Sequence, residues 1–332
     1  MKNKKIVIAG IAAVAAVLLC AVISIACGVK SVGVRSMIGA FIENGAPALE
    51  VSIVRARIPR TVFGLIAGAA LSVSGLLMQS ITRNPIADPS ILGVNTGASL
   101  FVVCGIAFGH ISNGNQYIML AFVGAFLTAV LVYGLASVGK GGATPIRLAL
   151  SGAAAGTALQ SLVNTVMLPD SHVMDQFRFW QTGSIGGASW SDIRIISPYL
   201  LIGFVLAVYL IPSLNILALG DETATGLGVN VTRIRVLAAL AGVLLCAAVT
   251  ALAGPIGFVG LMVPHLMRAV LGPDLKKLLP FSAAGGACML VLSDVAGRIL
   301  GRPGELESGI ITALIGGPVF IMIIRKVKVR SI

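Results

Sequence analysis

"RIPRTVFGLIAGAALSVSGLLMQ", residues 57–79, places Arg57, Pro59 and Arg60 directly ahead of a run from Thr61 to Gln79 that holds no charged side chain. About 20 mainly apolar residues cross the roughly 30 Å hydrocarbon core of a bilayer, and the backbone there must satisfy its own hydrogen bonds, so the run reads as a transmembrane helix. Gly64, Gly68, Ser72 and Gly75 fall near one face of that helix, and Gly152 and Gly156 repeat the spacing later. Small residues so placed either let helix backbones approach closely in lipid or give a helix a smooth wall along a channel. Both readings stay open on sequence.

The rest of the chain has the same character. Of its 332 residues 57% are hydrophobic and 11% charged, and the mean hydropathy is +1.00. A soluble domain carries about a quarter charged residues, which excludes that class. The strict polar/apolar alternation of a membrane barrel is missing too. Apolar runs at 6–28, 61–81, 91–109, 116–138, 147–167, 193–212, 234–254, 256–271, 279–300 and 308–324 predict an all-α polytopic protein of about ten spans, one transmembrane domain over 1–332. The eighth run is short and holds Pro264, which predicts a broken or partly inserted segment. The first run follows "KNKK" but exceeds the roughly 7- to 15-residue core of a cleavable signal, so it reads as a retained helix.

Basic residues orient the spans. With a cytoplasmic N-terminus the inside segments hold Lys2, Lys4, Lys5, Arg83, Lys140, Arg147, Arg233, Arg235, Arg268, Lys276, Lys277, Arg325, Lys326, Lys328 and Arg330, most of the 24 basic side chains. Both termini are then cytoplasmic. Lys30, Arg35, Arg55, Arg57 and Arg60 crowd into one outside loop, an exception that needs a cause. The net charge of +12 is divided between the two membrane faces and is not interleaved with aromatics, so nucleic acid is excluded as a partner. Cys20, Cys27, Cys104, Cys246 and Cys288 lie within or at the ends of apolar runs without paired spacing and read as small buried hydrophobes.

Energy for transport has few sources here. An intramembrane carboxylate is costly and marks ion coupling, but Asp294 is nearly alone, and Arg298 four residues on is placed to pair with it. The Gly139-Lys140 pair runs into Gly141, so the chain encodes no phosphate-cradling loop, and an ATPase has to be a separate subunit. The inside segment 212–235, with Asp221 and Glu222 between Gly220 and Gly226, is the candidate docking loop for one. The outside segment 168–192 carries Trp180 and Trp190 at interface depth. His172, Met167 and Met174 have no metal-binding spacing, and no metal site is expected.

Residues 57–99 and 254–326, with "RNPIADPSILG" (83–93), "GPIGFVGLMVPH" (254–265) and "ALGDETATGLGV" (218–229), resemble the FecCD permeases, the membrane subunits of ABC importers for ferric siderophores, haem and cobalamin. The resemblance implies a type II ABC importer permease fold in a bacterial cell membrane and a non-catalytic subunit. Its partners would be a second permease protomer, same or homologous, two ATPases that use ATP and Mg, and an extracytoplasmic binding protein. An iron(III)-siderophore is the implied substrate, with haem or cobalamin as alternatives. An ion-coupled secondary transporter is the competing class. Carried over by position, the resemblance makes Arg57, Arg60 and Arg298 outward-facing docking residues for the binding protein. It assigns Leu219, Gly220, Asp221, Glu222 and Gly226 to ATPase coupling, and Asn84, Ile86, Thr144 and Pro145 to a cytoplasmic gate. A short helix bordering the channel mouth is implied within 168–192. The chain departs from the family pattern at "ELESG" (305–309), where Glu307 and Ser308 replace an apolar residue and a proline.

Overall fold

A computed structural model describes residues 2–42, 47–109, 111, 113–138 and 144–326. His110, the Gly139-Lys140-Gly141 stretch, Lys328 and Arg330 lie outside the described residues, as do the side chains of Lys2, Lys4, Lys5, Pro145 and Lys326. The helices are α1 (Lys2–Ala26), α2 (Val34–Gly39), α3 (Ala48–Thr82), α4 (Val94–Gly109), α5 (Gly114–Ser137), α6 (Pro145–Met167), α7 (Ser171–Gln181), α8 (Trp190–Leu217), α9 (Asp221–Gly226), α10 (Val231–Ala253), α11 (Val259–Leu271), α12 (Leu275–Leu300) and α13 (Ser308–Lys326), with a 3-10 turn at Pro89–Leu92.

Ten of these coincide with the ten apolar runs. Seven are long and apolar enough to cross a membrane unaided; α4, α11 and α13 are shorter. The ten alternate in direction, so the first begins and the last ends on one face, the terminal face. The termini of α3 and α10 to α13 divide between it and the opposite face. Helix α3 sits at the centre, against α1, α10, α11 and α12, while α1 and α6 lie at the periphery. Pro85 and Pro89 act as their chemistry requires: α3 ends at Arg83 in the left-handed region, and the 3-10 turn opens on Pro89.

The glycine seam of residues 64–75 is a packing device. A Cβ on Gly75 would lie 1.9 Å from the carbonyl oxygen of Gly260 in α11, and one on Gly68 would lie 2.2 Å from that of Gly286 in α12. Gly152 is equally closed, 1.7 Å from the Ile91 carbonyl oxygen, but Gly156 faces open space. We therefore expect Gly75→Ala to lower the thermal stability of the detergent-solubilised protein by forcing α3 off α11, an overpacking cost of about 1–3 kcal/mol or more. Gly156→Ala should be neutral or slightly stabilising, and size-exclusion survival after heating compares the two.

The expected break in the eighth span is present but displaced. Helix α11 runs through Pro264, and the non-helical stretch is 254–258, where Gly254 and Phe258 take positive φ. Pro264 lacks an N–H, which leaves the Gly260 carbonyl without its helical donor. Gln79 Nε2 donates there at 3.4 Å and to the Leu261 carbonyl at 3.0 Å, while Arg268 Nη1 holds Gln79 Oε1 at 3.0 Å. A side chain of α3 thus satisfies a backbone group that lipid could not.

Candidate functional site

On the opposite face the arginines of 54–60 meet the ends of α1 and α12. Helix α1 has no basic residue in its last turn, so its final carbonyls need donors from elsewhere. Arg57 supplies two, donating through Nη1 to Ile25 and Ala26 (2.9 and 3.3 Å), and bonds Lys30 O through Nη2 at 2.7 Å. Arg298 donates to the carbonyls of Ser24 and Cys27, both at 2.9 Å, and to Ser24 Oγ. Arg302 reaches Gly28 O at 2.5 Å. Three guanidinium groups thus close the C-terminal end of α1, where the helix dipole favours cations.

That placement corrects one expectation. Arg57 and Arg298 do not point outward: they keep only 8% and 1% of their surface, because their heads are turned into the α1 carbonyls. The predicted Asp294–Arg298 pair is present at 3.0 Å, and Arg60 joins it, with Nε and Nη2 on the Asp294 carboxylate at 2.7–3.1 Å. Arg60 Nη1 bonds Glu305 at 2.7 Å. Arg55 stays exposed and donates to Ala40 O at 3.3 Å. Glu305 and Ser24 escaped the sequence reading. No spacing in the chain announces either, since their arginine partners lie more than 200 residues away.

The terminal face carries a second network. Leu217 ends α8, Gly220 takes φ +125°, and α9 follows at once. Asp221, its first residue, bonds Arg83 at the end of α3, and Arg235 in the first turn of α10 at 3.0 Å. Arg83 also donates to Leu217 O at 2.7 Å. Helix α9 is thereby tied to three spans by its inner side, with Ala224 buried beneath it, while Leu219, Glu222, Gly226 and Leu227 are exposed. Of the five predicted coupling residues, Asp221 is the tether, Gly220 the hinge of the turn, and Leu219, Glu222 and Gly226 the free surface.

The predicted gate residues fall on two segments, Asn84 and Ile86 on the α3–α4 connection and Thr144 and Pro145 at the start of α6. Asn84 Oδ1 accepts the Ile86 N–H at 3.1 Å, and Thr144 caps α6 through the Arg147 N–H. Asn84 shares a recess of about 240 Å³ with Thr82, Ile91, Ile146 and Ala149, so the α3–α4 connection and the first turn of α6 face each other. Asp88, within the α3–α4 connection, caps the 3-10 turn, accepting the Ser90 N–H at 2.9 Å.

Helix α6 leads from that recess to the opposite face and exposes a polar stripe the sequence reading missed. Thr157, Ser161, Asn164 and Thr165 are exposed, with Gln160 bonded to Asn164 at 3.2 Å. The three hydroxyls each donate to the carbonyl four residues earlier at 2.8–3.0 Å, which satisfies them without a tertiary partner. The i, i+4, i+8 spacing of Thr157, Ser161 and Thr165 was the available signal. At the opposite end of α6, α7 ends against the start of α13, where Gly309 N donates to Gly183 O at 2.8 Å. Trp180 rests on Phe177, Trp190 is exposed, and His172 bonds Gln176 at 2.9 Å.

An all-helical body of apolar spans, with one peripheral helix polar along an exposed face and a helix tethered beneath it, defines a multi-pass membrane permease. The sequence model of the FecCD transport family matches residues 16–326. The Fe(3+)-citrate import permease YfmD of Bacillus subtilis (strain 168) is 45% identical over 270 residues, covering 81% of this chain and 80% of the relative. The ferric enterobactin permease FepD of Escherichia coli (strain K12) is 38% identical over 304 residues, 92% of this chain and 91% of the relative. A solved structure of a metal-chelate type ABC transporter in an inward-facing conformation superposes with a TM-score of 0.84 at 28% identity, over 98% of this chain and 99% of that one. The chain belongs to the FecCD transport family, the permease subunits of ABC importers. Its class is non-catalytic, with ATP hydrolysis residing in a separate ATPase.

Proposed function

We propose that this chain is one of two permease protomers of a bacterial cell-membrane importer, with both termini cytoplasmic, that moves an iron(III)-siderophore from an extracytoplasmic binding protein to the cytoplasm. Two ATPase subunits, using ATP and Mg, would dock beneath α9. The orientation follows from Arg83, Arg147, Arg233, Arg235, Lys276, Lys277 and Arg325 on the terminal face. The substrate class rests on relatives named for two different iron(III) chelates.

The observation that carries the reading is α9, free on its outer side and ion-paired on its inner side to the ends of α3 and α10. A surface so built receives a push from a partner and passes it to two spans. The stripe on α6 then lines the path between protomers, because exposed hydroxyls and amides are disfavoured against lipid. The binding protein docks on the opposite face, where Glu305 is the exposed member of the network and Arg60, with 11% of its side-chain surface open, lies directly behind it, while Arg57 and Arg298 hold the platform beneath. Asn84, Ile86, Thr144 and Pro145 close the path on the cytoplasmic side.

Asp294, the carboxylate within α12, is not free to load and release a coupled ion, because two arginines neutralise it. The test is uptake into proteoliposomes holding the permease and its ATPase, with the binding protein supplied outside and ferric siderophore, ferric citrate, haem and cobalamin offered in parallel. ATP-dependent accumulation of the ferric siderophore is expected. Uptake by the permease alone down a proton or sodium gradient would overturn the importer reading, and preference for haem or cobalamin would move the substrate class.

A further inference from the structure

Arg60 has two unequal sides. Its Nε and Nη2 are held by Asp294, which keeps 1% of its side-chain surface, while Nη1 is held by Glu305, which keeps 44%. Glu305 stands in the non-helical segment 301–307 between α12 and α13. Within this plate Arg57, Arg60 and Arg298 face two carboxylates, so positive charge is in excess and an anionic partner is the one that fits. An exposed carboxylate on a guanidinium competes with water and salt and is readily exchanged.

The segment that carries Glu305 is also mechanically connected. Leu306 N and Gly301 N both donate to Gly297 O, at 3.1 and 3.0 Å, which sets the turn from α12 into α13. At the first turn of α13, Gly309 N bonds Gly183 O, and a Cβ on Gly309 would lie 2.2 Å from Thr182 O. No slack separates α13 from the end of α7.

The geometry points to Glu305 as an internal stand-in for a carboxylate of the docking protein. On docking, an acidic side chain of the binding protein takes the place of Glu305 on Arg60 Nη1, and the released segment 301–307 transmits the event to α13 and, through Gly309, to α7. Arg60 remains paired throughout, so the exchange proceeds without stranding a charge, and it favours the docked state only by the difference between the two carboxylates. The inference rests on the docking role proposed for Arg60 above.

The experiment uses the permease–ATPase complex in nanodiscs and the transporter's own binding protein. Glu305→Gln strips the competitor of its charge and leaves only a weaker neutral acceptor, so the affinity for the binding protein should rise about 2- to 5-fold, the range an exposed ion pair supports. Glu307→Gln, an equal charge change two residues on that does not touch Arg60, should stay within about twofold of the parent. Arg60→Lys keeps a charge beside Asp294 but loses the fork that reaches two carboxylates, and should bind more weakly. A spin label at Gly304→Cys, in a background lacking the native cysteines, should become mobile on docking and be mobile already in Glu305→Gln. Equal gains from Glu305→Gln and Glu307→Gln, or an unmoved label, would overturn the exchange. An unchanged affinity in Arg60→Lys together with Glu305→Gln would overturn the docking role itself.

Discussion

Asp294→Ala should leave little correctly folded permease. The carboxylate lies on α12 with two guanidinium heads on it, Arg60 through three contacts and Arg298 through one at 3.0 Å, and both Asp294 and Arg298 are almost fully buried. Removing one partner of a buried pair leaves an uncompensated charge, a loss of about 3–5 kcal/mol. Here the substitution would leave Arg298 buried against the α1 carbonyls with no anion beside it, and would leave Arg60 with Glu305 alone. The damage should extend to α1, whose last carbonyls depend on Arg57 and Arg298 being correctly placed. Asp294→Asn, which preserves acceptor geometry but not charge, should be intermediate. Glu305→Gln, at an exposed position, should be near neutral for stability. Monodisperse yield and the temperature of half-loss in size exclusion measure the order. Equal stability for Asp294→Ala and the parent would show that solvent or lipid headgroups, not Asp294, neutralise the plate.

The same plate shows where sequence reasoning reached and where it stopped. Every span was legible because the length and apolarity of a helix in lipid are local properties, readable from residues such as Thr61–Gln79 without knowing their neighbours. The pairing of Asp294 with Arg298 was legible for the same reason, one helical turn apart. The direction of Arg57 and Arg298 was not. It is set by an obligation of α1, whose orphan carbonyls must find donors, and nothing in residues 54–60 states that α1 ends beside them. The glycine spacing at 64–75 and at 152–156 is identical on paper, yet Gly75 is pressed on a backbone carbonyl and Gly156 on nothing, because the partner helix decides. The break in the eighth span sits at 254–258 rather than at Pro264 because Gln79, remote in sequence, supplies the donor that lets the helix continue through the proline.

On the terminal face, two substitutions two residues apart in the chain should separate attachment of the ATPase from its coupling. Leu219→Asp alters only exposed surface beside α9 and should abolish co-purification of the ATPase while leaving the permease folded, since the side chain is 66% exposed. Asp221→Ala acts differently. Its carboxylate is part-exposed and joins α9 to Arg83 and Arg235, so its loss costs about 0.2–1 kcal/mol at the exposed Arg83 pair and more at Arg235, whose head is largely buried. The outer face of α9 remains, and the ATPase should still attach. What is lost is the rigid link from α9 to the end of α3 and the start of α10, the two spans that pack against each other at Ser74 and Gly242 in the middle of the body. ATP should therefore be hydrolysed without transport: uptake at least about 10-fold down, equivalent to about 1.4 kcal/mol of coupling, with ATPase activity retained. Asp221→Glu, able to reach the same two arginines, should recover part of the uptake. Parallel loss of attachment and uptake in Asp221→Ala would make Asp221 part of the docking surface rather than the lever behind it, and full uptake in that variant would remove α9's tether from the transport cycle altogether.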